Sequence, residues 1–414
     1  MNNALRISAC AALLAVWPLP AQQDAEAGFV VPVTLSGGAL HTHRLQGYDR
    51  DASVVNGGFR AMAYPSVKLS KNLFGYAAVQ VRSTPYFYYD AYSHENRVRT
   101  DLIQALAGYS GQVGKATVVV KGGKLASAFG SFPLRYDDTE NPLLDQPLSY
   151  VTHLRLRPDQ LPCGVSDLLH QSDYYYEVNH YCGGSESYGH GIEPVTLYGL
   201  PGVQADLAAS GFDGRFQLTN SSPVNPQGLR SASQQPQWTA GGGYTFRRQL
   251  RIGVSSFRGP YLDRALRDLL PAGRSRRDYP ASAIAIDGQG SRGRWTVLGE
   301  WQRFRFASPR FTEHPGVSSG YLEVKAIVTP RLYVAGRSTV LHHSRVADMA
   351  GRSADSFAPS LQSHEFAFGY RFNRSQLLKV GYEWLKTEGL RGAANNVFGV
   401  QFVTSIHGIS KAWR

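Results

Sequence analysis

Outside its first 27 residues the chain has no run of 18 apolar residues, so it is not a helical membrane protein. Methionine is scarce, at 3 of 414 residues, and so is cysteine, at 3. No cysteine or histidine spacing matches a zinc pattern. His41 and His43 share a strand face, and His342 adjoins His343, but neither pair has a third ligand. No linker or low-complexity tract marks a second domain. A G-x-S-x-G nucleophile elbow is absent, and no Ser, His and Asp constellation can be nominated. The one G-x-G-x-x-G, Gly288 to Gly293, runs into another strand pattern rather than a helix, so it reads as a turn. Neither an enzyme nor a cofactor or metal is expected.

What is abundant is glycine, at 43 residues, and tyrosine and phenylalanine, at 23 and 19. These suit strands with aromatic girdles better than a helical core. The first residues read as a cleavable leader: Arg6, an apolar stretch from Ile7 to Trp17, and an A-x-A pattern at Ala25 to Ala27, with Ala21 as an alternative. Cys10 precedes most of that apolar stretch, whereas a lipidated cysteine would follow it. Residues 1–27 are thus expected to be a signal peptide, and residues 28–414 one exported domain. Cys163 and Cys182 remain. In an oxidising compartment they are expected to form a disulfide, worth about 3 kcal/mol by loop-closure arithmetic; two unpaired thiols are the alternative.

The remainder reads as roughly sixteen strands, with fourteen or eighteen still open. Short connections fall at Lys71-Asn72, Gly111 to Gly114, Gly211 to Gly214, Arg247-Arg248, Gly290 to Gly293, Pro330, and Asn373 to Ser375. Long ones lie between them, notably 125–191 and Gly259 to Tyr279. An even strand count with short turns at one end and long loops at the other predicts an all-β fold, a transmembrane antiparallel β-barrel. Pro65 and Pro201-Gly202 fall inside strand patterns and weaken those two.

Alternation is clearest toward the C-terminus. Phe366, Phe368, Tyr370 and Phe372 share one face, with Glu365, Ala367, Gly369 and Arg371 on the other. Leu378, Val380, Tyr382 and Trp384 likewise oppose Lys379, Gly381 and Glu383. Lipid outside and water inside would explain this, although a soluble sandwich also alternates. One segment breaks phase. From Arg294 to Phe306, Trp295, Val297 and Trp301 share one parity, while Phe304 and Phe306 take the other. A bulge near Gln302-Arg303 is expected to restore order and turn Arg303 and Arg305 inward.

Net charge is +12. For an exported barrel this argues against nucleic acid as partner and for a field that concentrates anions. Arg258, Arg264, Arg267, Arg274, Arg276 and Arg277 are candidates for a pore mouth. The alternative is that such arginines face outward, toward membrane phosphates. Leu262, Leu266 and Leu269, with Arg264 and Arg267, suggest a short amphipathic helix across the mouth. In the long loop, Arg135, Asp137, Asp138, Glu140, Arg155 and Arg157 are candidates for a constriction, where carboxylates facing arginines would set up a transverse field. Tyr174, Tyr175 and Tyr176 read as loop packing.

Gly123 through Arg135 (GKLASAFGSFPLR), then Glu140 with Asn141-Pro142-Leu143-Leu144, and Pro147 to Tyr150, resemble a segment of bacterial outer-membrane porins. The segment is similar to the phosphate-selective porin-like group of about sixteen-stranded barrels, in which a strand ends in a G-x6-G motif and enters the pore loop through N-P-L. Gly253 to Gly259 with Tyr261, Asp287-Gly288 and Gly299-Glu300 look like that group too. The resemblance implies passive diffusion of small hydrophilic solutes through a barrel with an inward-folded loop, set in outer-membrane lipid, with homotrimers common. It does not bring phosphate selectivity, because no lysine ladder matches. The chain departs from the usual terminal aromatic: Phe402 is followed by further residues ending Trp413-Arg414. A non-conducting adhesin or surface scaffold is the rival expectation.

Overall fold

Each strand pairs antiparallel with the strand before and after it in the chain, and the last pairs with the first, so the wall closes without an edge. The computed structural model describes residues 28–42, 55–84, 86, 97–132, 137–169, 181–184, 191–192, 195, 199–220, 235–388 and 394–412. Sixteen strands form the barrel. They are β1 (Gly28–Thr42), β2 (Val55–Ala63, resuming at Ser66–Lys68), β3 (Leu73–Thr84), β4 (Arg97–Val113), β5 (Ala116–Leu125), β6 (Leu200–Ala209), β7 (Phe212–Thr219) and β8 (Gln237–Phe246). The wall continues with β9 (Leu250–Pro260), β10 (Pro280–Arg292), β11 (Trp295–Phe306), β12 (Gly316–Ile327), β13 (Leu332–His343), β14 (Leu361–Arg371), β15 (Gln376–Thr387) and β16 (Ala394–Ala412).

Both prolines that weakened the strand count are accommodated. Pro65 has no N–H to give the ladder, and β2 breaks there. Its halves still pair with β1 and β3 on either side, so it remains one strand. Pro201 is the second residue of β6, where it sits opposite Lys124. Turn chemistry is local: Arg247 and Arg248 both take positive φ, at 48° and 58°, the backbone sense of a type I′ hairpin.

Burial assigns the faces. Phe366 and Phe368 are 61% and 60% exposed, while Glu365 and Ala367 between and beside them are 1% and 2%. Apolar side chains therefore point out and charged or small ones point in. Outward aromatics gather near the turn end, where Tyr370, Phe372 and Phe402 form one chain of ring contacts and Tyr244 with Phe246 another, as an interfacial belt requires.

The bulge expected in β11 is absent, and pairing with β10 runs without a break from Ala281–Phe306 to Arg292–Trp295. Phe304 and Phe306 face inward, and Arg303 and Arg305 face outward and are exposed. The cause lies inside. At that height the lumen is dry, packed with Phe129, Phe257 and Tyr261 against Phe304 and Phe306. Phenylalanine is thus the inward residue, and arginine is left for the rim.

At the loop end the long connections fold onto one another. Leu154, Leu161 and Leu168 of the long loop share a core with Leu266, Val346 and Phe357 from later loops. The expected amphipathic turn is a short helix, Arg264–Leu269, capped by the Asp263 carboxylate at 2.8 Å from the Ala265 N–H, with Leu266 buried. A backbone bond from Asp263 to the Pro158 carbonyl ties it to the long loop. The leader at 1–27, His43, Arg135, Tyr174 to Tyr176 and Trp413-Arg414 lie outside the described residues.

Candidate functional site

The long loop enters the lumen through its G-x6-G motif. Gly123 and Gly130 both have positive φ, at 135° and 73°, a region closed to most L-residues. At Gly130 a side chain would collide with the Glu300 carboxylate and the Tyr150 hydroxyl. Just past Gly123, Gln217 of β7 donates to the Ala126 carbonyl at 2.8 Å. Gly130 donates to Ser255 at 3.0 Å, and its carbonyl accepts from Arg215 at 3.0 Å. Tyr150, on the returning limb, donates to Glu300 at 3.0 Å and accepts from Gln302 at 2.8 Å. Burial, then the charge of Glu300, raises the Tyr150 phenol well above its ordinary range, so it stays a neutral donor. Phe132 packs on Tyr150 and Tyr321.

Between those limbs the loop crosses to the opposite wall. Asp138 forms an ion pair with Arg60 at 3.1 Å and accepts from Ser36 at 2.7 Å and Tyr86 at 2.9 Å. Asp137 accepts from the Tyr64 hydroxyl. Burial pushes the Asp138 carboxyl up, but Arg60, Lys379 and the two hydroxyls together hold it below the usual carboxylate range. Arg60 is one of three arginines on one row: it lies directly opposite Arg82 on β3, which lies opposite Arg99 on β4. Like charges facing each other across strands are destabilising, so local stability does not explain this row. A charged lumen does. Arg60 is engaged by Asp138 and by Gln80 at 2.8 Å, whereas Arg99 is exposed and has no ion pair among the described residues.

The N-P-L-L stretch then seats against β13 to β16. Lys379 donates to the Asn141 and Leu143 carbonyls at 2.9 and 3.2 Å, and Tyr333 to the Pro142 carbonyl at 3.0 Å. Leu143 completes a small core with Tyr333, Leu377 and Val403. Leu144 fills a notch made by paired glycines: a methyl group at Gly381 or Gly399 would come within 2.8 or 2.6 Å of its Cδ1. Glu365 accepts from the Leu144 and Asp145 N–H groups at 2.7 and 3.0 Å, while Arg337 bridges Glu365 and the Asp145 carbonyl, each at 2.6 Å. Asp145 moves opposite to Asp138. Burial, then Glu383 and Glu365, pushes its carboxyl well above the usual range. A cavity of about 30 Å³, room for a water or two, remains between Leu144, Glu383 and Gln401.

Among the described residues, loop coverage falls on one side of the lumen. Glu300, Glu323, Arg337, Glu365, Lys379 and Glu383, inward on β11 to β15, are buried beneath the loop, while Lys325 and Arg371 nearer the turns stay partly exposed. On β4 to β7 the inward charged side chains stay partly or fully exposed: Arg99, Asp101, Lys121, Asp206, Asp213 and Arg215. Lys121 is paired with Asp206 there.

The residues expected from sequence are dispersed. Asp137 and Asp138 lie inside the barrel but are bonded to its wall, and Glu140 beside them is exposed. Arg155 donates to the Leu168 and Leu169 carbonyls at 3.2 and 3.3 Å, and Arg157 pairs with Asp159 at 2.7 Å, both within the loop itself. Arg264, Arg267, Arg274 and Arg277 are exposed on the mouth loop. Arg276 is partly covered and donates to the Leu262 carbonyl at 3.4 Å. Arg258 belongs elsewhere, because it faces outward on β9. A short ladder between Gln160–Pro162 and Tyr181–Gly184 brings the backbones at Cys163 and Cys182 together. Sequence reading missed Arg60, Arg82 and Arg99. Each alternates with apolar or small outward neighbours, but only strand register aligns them.

No known family profile matches the chain, and no curated protein is similar to it in sequence. Solved structures do share its fold. The outer membrane channel DcaP of Acinetobacter baumannii has a TM-score of 0.55 at 10% identity, covering 93% of this chain and 99% of that one. OmpT, an outer membrane protein of Vibrio cholerae, has 0.54 at 9%, covering 93% and 99%. Salmonella typhi OmpF, in complex with daunomycin, has 0.51 at 11%, covering 91% and 97%.

Proposed function

We propose that the chain is an outer-membrane porin through which small hydrophilic solutes diffuse passively, with a lean toward anions. The barrel sits in the outer membrane of a bacterium, with its turns toward the periplasm and its long loops outside. One observation carries the reading: a closed barrel, apolar outside, encloses a lumen narrowed by an anchored loop and lined on its open side by partly exposed charges. The lean toward anions rests on the balance of that open wall. With Lys121 neutralised by Asp206 and Asp213 by Arg251, Arg99 and Arg215 outnumber Asp101, and a low-dielectric wall focuses their field. The proposed constriction lies between the arginine row and the loop around Glu140. Arg135 and the exposed mouth arginines belong to the same proposed path.

Selectivity of this kind reads charge rather than anion identity, so phosphate is given no special place. The reading includes a leader at 1–27, a Cys163–Cys182 disulfide that fixes the outer part of the long loop, and assembly as a homotrimer. An OmpT structure with TM-score 0.51 is described as a trimer form.

Liposome swelling tests the function. Vesicles carrying the protein should swell in an isotonic small sugar, and faster in a small monocarboxylate, but not in a large oligosaccharide. Absence of swelling with verifiably inserted barrels would contradict the channel and favour the adhesin or scaffold.

A further inference from the structure

Three arginines point away from the lumen at the loop end of β9 and β11. Arg258, Arg303 and Arg305 are all exposed, and none has an ion pair among the described residues. Register makes them one patch. Arg258 and Arg305 flank Ser282 from either side, and Arg303 lies between Ile284 and Ser318. Ser282, between Arg258 and Arg305, and Ser318, beside Arg303, are small, so space is left among the guanidinium groups. Burial, then the charge of Arg305, holds the nearby His314 imidazole below its ordinary range, which fits a locally positive field.

Depth identifies the neighbour. At about 3.3 Å per residue and a strand tilt near 40°, the climb from Trp295 at the turn end to Arg305 is roughly 25 Å, the height of a barrel's apolar band. The row just below, Val254, Ile286 and Trp301, is apolar and exposed. The arginines therefore stand where hydrocarbon gives way to outer-leaflet headgroups. Arginine is strongly disfavoured near the midplane and well tolerated at the interface.

We infer that Arg258, Arg303 and Arg305 form an external binding site for the phosphate groups of an outer-leaflet lipid. The site rests on the outer-membrane placement proposed above but not on conduction. Guanidinium groups bind phosphate in bidentate fashion, and three of them around a gap of serines suit a phosphorylated sugar headgroup.

The test uses the full chain refolded in lipid-free detergent and titrated with micelles containing phosphorylated lipid A or the same lipid stripped of phosphate. At about 1 kcal/mol per arginine near the surface, the phosphorylated lipid should bind roughly a hundredfold tighter. The R258Q/R303Q/R305Q variant should lose that preference while its pore conductance stays unchanged. Equal binding of the two lipids by the unmutated protein would overturn the site, and that comparison needs no variant to fold. Undiminished preference in the variant would overturn it as well. Displacement of the lipid by inorganic phosphate would reassign the patch to a free anion. No current is needed to read lipid binding, so a silent pore would refute the channel and leave this result standing.

Discussion

Two arginines of the same row have different jobs. Arg60 is buried, and its partner Asp138 is buried with it. Replacing Arg60 with Gln leaves a carboxylate without its counter-charge, a loss of about 3–5 kcal/mol for buried pairs. That loss falls on loop docking, so the R60Q barrel should remain closed while residues 137–146 exchange amide protons faster. Arg99 faces open lumen. R99Q should leave loop exchange unchanged and move the reversal potential toward cation preference, while an unchanged potential would remove Arg99 from the conduction path. Acid separates the two loop carboxyls. Asp145 has a raised value in the folded state, so the unfolded state binds fewer protons than the folded one between the two values. Docking near Asp145 should therefore tighten as pH falls from the raised folded value to the ordinary carboxylate range. Asp138 has a lowered value. Its contribution is full above the ordinary range and is lost only as pH falls through the lower folded value. Amide exchange against pH at the two segments checks both signs.

The long loop works as an element because its anchors are spread around the wall. Gln217, Ser255, Glu300, Arg60, Lys379 and Glu365 hold it from six different strands. Leu144 is its packing anchor. L144A empties the glycine notch and should weaken docking by about 2–4 kcal/mol, seen as noisier and larger single-channel steps; unaltered current would mean the notch does not position the loop. How much of this the sequence disclosed follows from what each feature needs. Strands were legible because alternation is local, and turns because Gly, Asn and paired arginines mark them. Phe304 and Phe306 misled because parity reports which residues share a face, not whether the lumen at that height is wet. The arginine row was hidden because Arg60, Arg82 and Arg99 become neighbours only through register. Asp138 was rightly placed in the loop, but its partner lies 78 residues away, on a strand whose single arginine gave no signal.

For the whole molecule, sixteen strands closed on themselves leave apolar side chains outward around the wall and charges inward. Such an object is stable in lipid and conducts only if the loop leaves a path. Among the described residues the loops cover the side of β11 to β15 and leave β4 to β7 more open, which places the proposed path off-centre. The most direct measurement is the single-channel reversal potential of the purified protein in a planar bilayer under a KCl gradient. Discrete steps with a potential on the chloride side, moved toward potassium in R99Q, are the predicted result. Silence from folded, inserted protein, or a potassium-selective potential indifferent to Arg99, would contradict the account.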